Sequence, residues 1–358
     1  MKKIIIFSKD LSIGGMEKSL IVLLNELVNY YKVTLVLENI TGELLSDLNK
    51  NILIKKYPIS NSKIVFIRKI INGFNRLCWK IKYNNKYDFS CNYATYLVWA
   101  SRLAQISSKN SAYYVHSNYY EVFNHDQKKF KDFFDQHNIG KFKNIIFVSN
   151  ESLNSFINVY PNVNKVMVIN NLIDYKNIRK LAGVNKNDLF DNEKVNLLFI
   201  GRLDNDSKNI DLLLDSFCLA YKDNNNINLT IIGDGDYKDN INEFIKKNNL
   251  NNCIKSLGAL TNPYPYLKAA DALILTSNYE GNPVVYSEAL VLDKVILTTI
   301  LTSDNEIDIK NYSVYLKKDK RDIANKIAKL SKKDIHYNLD FDIINEKRIS
   351  HLKSIIEE

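Results

Sequence analysis

Apolar and polar positions alternate along the chain in blocks of two kinds. Short unbroken apolar runs read as strands buried on both faces, and longer stretches with apolar residues three and four apart read as helices packed over them. KKIIIFS opens the series, breaks at a Gly-Gly pair, and EKSLIVLLNELVNY carries helical periodicity into a second run, VTLVLEN. A helix over about 64–83 follows, then apolar runs in YDFSCNYA, SAYYVHS and NIIFVSN. The second half restarts the rhythm: VNLLFIGRL as strand, NIDLLLDSFCLAYKD as helix, INLTIIGDGD as strand, and a helix through about 237–248. CIKSLGAL, a short helix with YLKAA, the strand DALILTS and a helix after Pro283 complete it. Between the halves, 170–194 is polar and weakly periodic and is predicted to hold the connection. The pattern predicts an α/β protein of two doubly wound, Rossmann-like domains, 1–172 and 173–337, facing each other across a cleft. A last helical segment, 338–358, is long enough to cross back onto the first domain.

Composition narrows the class. With 358 residues, 46% apolar and 25% charged, the chain has the profile of a soluble globular protein with room for two cores. The opening apolar run stops at Ser8-Lys9-Asp10, too short for a signal core or a membrane span, and no later window offers 18 uncharged apolar residues. Cys78, Cys91, Cys218 and Cys253 lie far apart with no C-x-x-C pair, so neither a zinc site nor a disulfide framework is expected. A cytoplasmic location is the expectation.

Charge divides unevenly. Residues 1–170 hold 23 Lys/Arg against 12 Asp/Glu, while the remainder carries a net charge of −2; residues 48–87 hold ten basic side chains and no acidic one. Such asymmetry points to an anionic partner, a membrane or a nucleic acid. Basic positions here interleave with buried-type helix positions and no nucleic-acid motif occurs, so no nucleic-acid partner is expected. In KIVFIRKIINGFNRLCWKIK, Ile67, Ile70, Ile71, Phe74, Leu77, Cys78 and Ile81 share one helical face, with Lys63, Lys69, Arg76 and Lys80 over much of the rest. The expectation is a helix packed on its sheet with a solvated basic face, which would also allow peripheral contact with anionic lipid.

The candidate chemistry sits at strand ends. SNYEGNPVVYSEAL places Glu280 and Glu288 eight positions apart, a spacing that suits one carboxylate in a loop and one in the following helix. Asn282 reads as the N-cap and Pro283 as the first helical residue, leaving the amides of Val284 and Val285 as an anion seat. Carboxylates accept paired hydrogen bonds from vicinal hydroxyls, so the segment suits a sugar diol flanking a phosphate. GRLDNDSK adds Arg202 and Lys208, a delocalised and a point charge together suited to a diphosphate. Gly233 and Gly235 in IIGDGD, and Gly14 and Gly15 in SIGGMEKSL, permit close backbone approach at two further strand ends. Neither the dinucleotide nor the P-loop spacing is present.

In order, GGMEKSL, YYVHSN, FVSN, GRLDNDSKNIDLLLDSF, IIGDGD and LGALTNPYPYLKAADALILTSNYEGNPVVYSEAL resemble the retaining glycosyltransferases of family four, which have the GT-B fold. The resemblance covers most of the chain and is strongest from Asn196 to about Thr299. It implies that Arg202 and Lys208 hold the donor's diphosphate and that Glu288 binds the ribose hydroxyls. Glu280, Gly281, Asn282, Pro283 and Val284 would meet the transferred sugar and phosphate. The base would lie against Leu257, Gly258 and Ala259. His116 would contact the donor sugar, with Gly15 approaching the phosphate from the other domain. Glu17 fits the pattern too, although a helix's first turn favours a glutamate by itself. The family often writes K-G where this chain has Lys208-Asn209, and an aromatic or Gly where Asn282 stands. The activity that the resemblance implies is transfer of a sugar from a nucleoside-diphosphate sugar to a glycan or lipid-linked acceptor. No metal or cofactor is demanded by the sequence. A GT-B nucleotide-sugar epimerase is the alternative, and a basic nucleic-acid-binding protein a more distant one.

Overall fold

The computed structural model describes residues 1–163, 165–184, 190–302, 304–332 and 335–358, which fold as two compact units. The first comprises Met1–Leu172 and Asp342–Glu358, the second Ile173–Phe341.

Seven parallel strands build the first sheet: β1 (Lys3–Ser8), β2 (Lys32–Leu37), β3 (Leu53–Lys56), β4 (Phe89–Asn92), β5 (Ser111–Val115), β6 (Asn144–Phe147) and β7 (Val166–Val168), in the order β3-β2-β1-β4-β5-β6-β7. The pleat sends Ile4 and Ile6 of β1 into one core with Leu20, Leu24 and Leu27, and Ile5 and Phe7 into a second with Tyr113, Phe130 and Phe147. A sheet covered on both faces explains why its strands are written as unbroken apolar runs. The terminal helix, Phe341–Glu357, contributes Ile349, Leu352, Ile355 and Ile356 to the first of these cores. It is tied down further where Asn110 Nδ2 donates to the Ile355 carbonyl at 2.7 Å and Tyr31 Oη to Glu357 Oε1 at 2.7 Å.

The second unit repeats the plan with six parallel strands: β8 (Val195–Ile200), β9 (Ile227–Ile232), β10 (Ile254–Ser256), β11 (Ala272–Leu275), β12 (Val295–Thr298) and β13 (Ser313–Tyr315), ordered β10-β9-β8-β11-β12-β13. The segment expected to connect the halves is in part a helix, Tyr175–Ala182, held to the second unit by Asn262 Nδ2 donating to the Leu181 carbonyl at 3.1 Å. Its residues 185–189 lie outside the described ones.

Strand order reverses direction between β1 and β4 in the first sheet and between β8 and β11 in the second. Loops leaving two such neighbours diverge to opposite faces and open a crevice beyond the carboxyl ends of the strands.

One expectation is overturned here. The helix Val65–Tyr83 does not pack its apolar face on the sheet: Phe66, Ile67, Ile70, Ile71, Phe74, Leu77 and Ile81 are all exposed, and Trp79 is its one buried residue. Trp79 points the opposite way, donating from Nε1 to Ser107 Oγ at 3.0 Å and meeting the rings of Phe7 and Tyr57 edge-on.

Candidate active site

In the second unit the loops after β8 and β11 are stitched together at the reversal point. Asp204 caps a single helical turn, Asn205–Lys208, by accepting from the Ser207 amide at 2.8 Å and from Ser207 Oγ at 2.6 Å. From the other loop, Thr276 Oγ1 donates to the carbonyls of Lys208 and Asn209, both at 3.0 Å, and the Asn278 amide donates to the Ser207 carbonyl at 2.7 Å. Asn209 stands at φ 48°, ψ 56°, the left-handed conformation that glycine takes most easily. Asparagine visits it at lower cost than other side chains, so the turn after Lys208 forms without the glycine that the resemblance led one to expect.

This stitching brings Arg202, Lys208 and Glu280 together. Lys208 Nζ lies 2.5 Å from Glu280 Oε1, which also accepts from Ser277 Oγ at 2.7 Å. Only 18% and 11% of the two charged side chains are exposed, so salt and water screen the pair weakly. Arg202 Nε donates to Asp204 Oδ2 at 2.7 Å. Burial works to raise the Asp204 carboxyl, but the hydrogen bonds from Ser207 and the charge of Arg202 prevail and hold it below the usual range. Because Ser207 anchors Asp204 and Ser277 anchors Glu280, either cation can turn to another anion without releasing its carboxylate from place.

The helix after β11 begins one residue later than the sequence suggested. It runs Val284–Val291 with Pro283, not Asn282, in the capping position and no side-chain cap. Asn282 instead donates from Nδ2 to Asp304 Oδ2 at 3.4 Å. The amides of Val284 and Val285 remain in the first turn, where an α-helix has no internal acceptor to offer them. Glu288, 3% exposed, accepts on Oε1 from Tyr264 Oη at 2.9 Å. That buried carboxylate lies on the helix, outside the hydrogen bonds that join Lys208, Ser277 and Glu280.

Gly233 and Gly235 have a structural reason to be glycine. A Cβ on Gly233 would sit 1.8 Å from the Gly201 carbonyl oxygen, and one on Gly235 2.3 Å from that of Leu203. The requirement therefore comes from the adjoining β8 loop. Gly233 also donates its amide to the Gly258 carbonyl at 3.0 Å, fixing Leu257, Gly258 and the exposed Ala259 beside that loop.

In the first unit, Gly14 caps the helix Gly15–Leu27, and Glu17 folds back so that its Oε2 fills the space a Gly14 side chain would need. Glu17 holds the third helical position, where the helix dipole favours a carboxylate. His116 follows β5, its ring against Tyr93 at 4.3 Å between centroids, with a buried Nε2 that has no hydrogen-bond partner among the described residues. Burial drives its pKa down to about 3, so the imidazole is neutral across the physiological range. His137, fully buried, shares a 2.8 Å hydrogen bond between Nδ1 and Ser101 Oγ, and burial aided by the charge of Arg102 lowers it to about 4.

These two shifts carry a stability prediction. Unfolding frees both rings to take a proton below the ordinary histidine value, near 6.5, which the folded state refuses. Their contribution is complete above that pH and is lost as pH falls toward 4. Urea melts at pH 7.5 and 4.5 should show His137→Asn losing less stability over that interval than the parent, by roughly 2 kcal/mol. Equal losses would remove the role assigned to His137.

Residues 184–348 match the family Glycosyl transferases group 1. The match takes in most of the second unit and the first residues of the terminal helix. The matched residues take in β8 through β13, hence Arg202, Lys208, Glu280 and Glu288. The chain is 29% identical over 203 residues to the capsular polysaccharide biosynthesis glycosyltransferase CapH of Staphylococcus aureus, covering 54% of each chain. It is 26% identical over 243 residues to a poly(ribitol-phosphate) alpha-N-acetylglucosaminyltransferase of S. aureus strain COL, covering 65% of this chain and 46% of that one. The chain spans about half the length of these curated relatives. Among solved structures, Anabaena HepE in complex with UDP and glucose superposes with a TM-score of 0.72 at 16% identity, over 99% of this chain and 100% of that one. The fold is GT-B.

Residue type and spacing give no direct sign of the supporting residues Ser207, Ser277 and Tyr264. Asp204 is the most accessible of the supporting set, since Asp three residues before Ser in DNDS is a capping signal.

Proposed function

We propose that the protein is a retaining glycosyltransferase. It moves a hexosyl group from a nucleoside-diphosphate sugar to a glycan or lipid-linked acceptor, in the synthesis of a bacterial cell-surface polysaccharide or glycoconjugate. The observation that supports this most is the Lys208–Glu280 pair beside Arg202 at the point where strand order reverses. A diphosphate entering there would draw Lys208 and Arg202 from their carboxylates, and the Val284 and Val285 amides would share its charge. Glu280, kept in place by Ser277, would accept from the sugar hydroxyls, and Glu288 from the ribose diol. The base would rest on Leu257, Gly258 and Ala259.

In the reaction the acceptor oxygen bonds to the anomeric carbon as the bond from that carbon to the phosphate oxygen breaks. The acceptor proton passes to the departing phosphate on the same face, which retains configuration. Arg202, Lys208 and the helix amides stabilise the charge that develops on the leaving diphosphate. The relatives named for capsular polysaccharide and poly(ribitol-phosphate) glycosylation support an acceptor of the cell-surface class. The test is a panel of nucleoside-diphosphate sugars, assayed for nucleoside diphosphate release with and without lipid-linked acceptors. The proposal expects acceptor-dependent release from one donor. Conversion of a donor into its epimer without acceptor would replace it with the epimerase reading.

A further inference from the structure

The helix Val65–Tyr83 shows an arrangement that the transferase reading does not use. At about 100° per residue, Phe66, Ile67, Ile70, Ile71, Phe74, Leu77, Cys78 and Ile81 fall within an arc of about 140°. Every one of them is exposed, the seven aliphatic and aromatic side chains from 40% at Ile71 to 76% at Ile81. The helix is fastened to its unit by the other side. Trp79 is buried, Asn72 Oδ1 accepts from the Ser60 amide at 2.8 Å, and Asn75 Nδ2 donates to the Pro58 carbonyl at 2.7 Å. Those three residues share an arc of about 60° lying away from the apolar one. An amphipathic helix normally spends its apolar face on its own core; this one presents it outward.

Charge identifies the occupant. The helix carries Arg68, Lys69, Arg76, Lys80 and Lys82 and no acidic residue, and the cations flank the apolar arc on both sides. Pairing two copies through this face would bring five cations of one against five of the other. A surface that is apolar below and negative at its rim suits the same helix on both counts. Among the described residues, no helix is long and apolar enough to cross a membrane, so the fit is to a surface and not to a span.

We infer that this helix lies in the interface of an anionic phospholipid bilayer, its apolar arc among the acyl chains and its cations at the headgroups. The attachment is hydrophobic as well as electrostatic, a stronger hold than the solvated basic face that the sequence suggested. It stands independently of the sugar-transfer chemistry, and its test needs no turnover.

Vesicles of phosphatidylglycerol and phosphatidylcholine in equal parts, compared with phosphatidylcholine alone in a flotation assay with the full chain, provide that test. Binding to the anionic vesicles is expected to exceed that to neutral ones at least tenfold at low salt. Substituting Ile70→Gln, Phe74→Gln and Ile81→Gln together should lower anionic-vesicle binding at least tenfold, with the circular dichroism spectrum unchanged. Gln keeps helix propensity, and none of the three side chains is buried. A second variant, Lys69→Gln with Arg76→Gln and Lys80→Gln, should lose the preference for anionic over neutral lipid. Failure of the parent to float, equal binding to both vesicle types, or parent-like binding by the triple Gln variant of the apolar arc would each overturn the inference. So would a dimer in dilute solution that this triple variant abolishes.

Discussion

Lys208→Met is expected to lower the rate of sugar transfer by about 10²–10³-fold, the scale seen when one preorganised donor to a developing anion is removed. Its Nζ is held 2.5 Å from Glu280 and only 18% of the side chain is exposed, so its charge acts where water screens little. Met approximates the length of the side chain and removes only the charge and the donors. One complication is built into the pair. Taking the cation away leaves Glu280, itself 11% exposed, with the Ser277 hydroxyl and the more distant charge of Arg202, and a poorly compensated carboxylate destabilises a protein by itself. The double variant Lys208→Met with Glu280→Gln separates the two effects. It should regain the thermal stability that the single variant loses and stay as inactive. If activity returned along with stability, Lys208 would be a structural cation and the assignment to the diphosphate would fall.

Gly233→Ala is expected to destabilise the second unit by about 3 kcal/mol or more, the range of changes that force backbone apart. Its φ of 157° is unfavourable for any residue with a Cβ, and that carbon would stand 1.8 Å from the Gly201 carbonyl oxygen. Backbone cannot rotate out of the way as a side chain can, so β9 and the loop leaving β8 must separate. That loop carries Arg202, and binding at the site should weaken with it. Gly73 supplies the control. A Cβ there meets nothing within 4 Å in the middle of a helix, so Gly73→Ala should be neutral or stabilise by up to about 1 kcal/mol. Thermal melts of the two variants side by side would show the contrast, and a native-like melt for Gly233→Ala would be incompatible with the packing described.

How much of this was legible beforehand depends on the kind of signal. The runs that became β1, β2, β4, β5, β6, β8, β9 and β11 are long or apolar enough to stand out, because both faces of their sheets are covered. The short segments β3, β7 and β13 are three or four residues at sheet edges, too brief for any period to register. β12 follows an apolar helix after a brief turn, and an apolar run alone does not say where helix gives way to strand. Spacing in the helix Val65–Tyr83 marks its apolar arc correctly but not which side faces the protein. That side is settled by Trp79 reaching Ser107, a contact 28 residues away. At the site, residue types point to Arg202, Lys208 and Glu280, whereas the ties that draw them together run between loops some 70 residues apart. The one-residue shift of the cap from Asn282 to Pro283 is a matter of local backbone angles, beyond the resolution of a capping preference.

In the proposed mechanism the ends of β8 and β11 grip a nucleoside diphosphate through Lys208 and Arg202. Calorimetric titration of nucleoside diphosphates into the parent and into the Lys208→Met, Glu280→Gln double variant is the decisive experiment. One nucleoside diphosphate should bind the parent, with an affinity at least tenfold lower in the double variant, in line with the loss of a charge-assisted contact. Equal affinity for the two proteins, or no binding by the folded parent, would refute that grip.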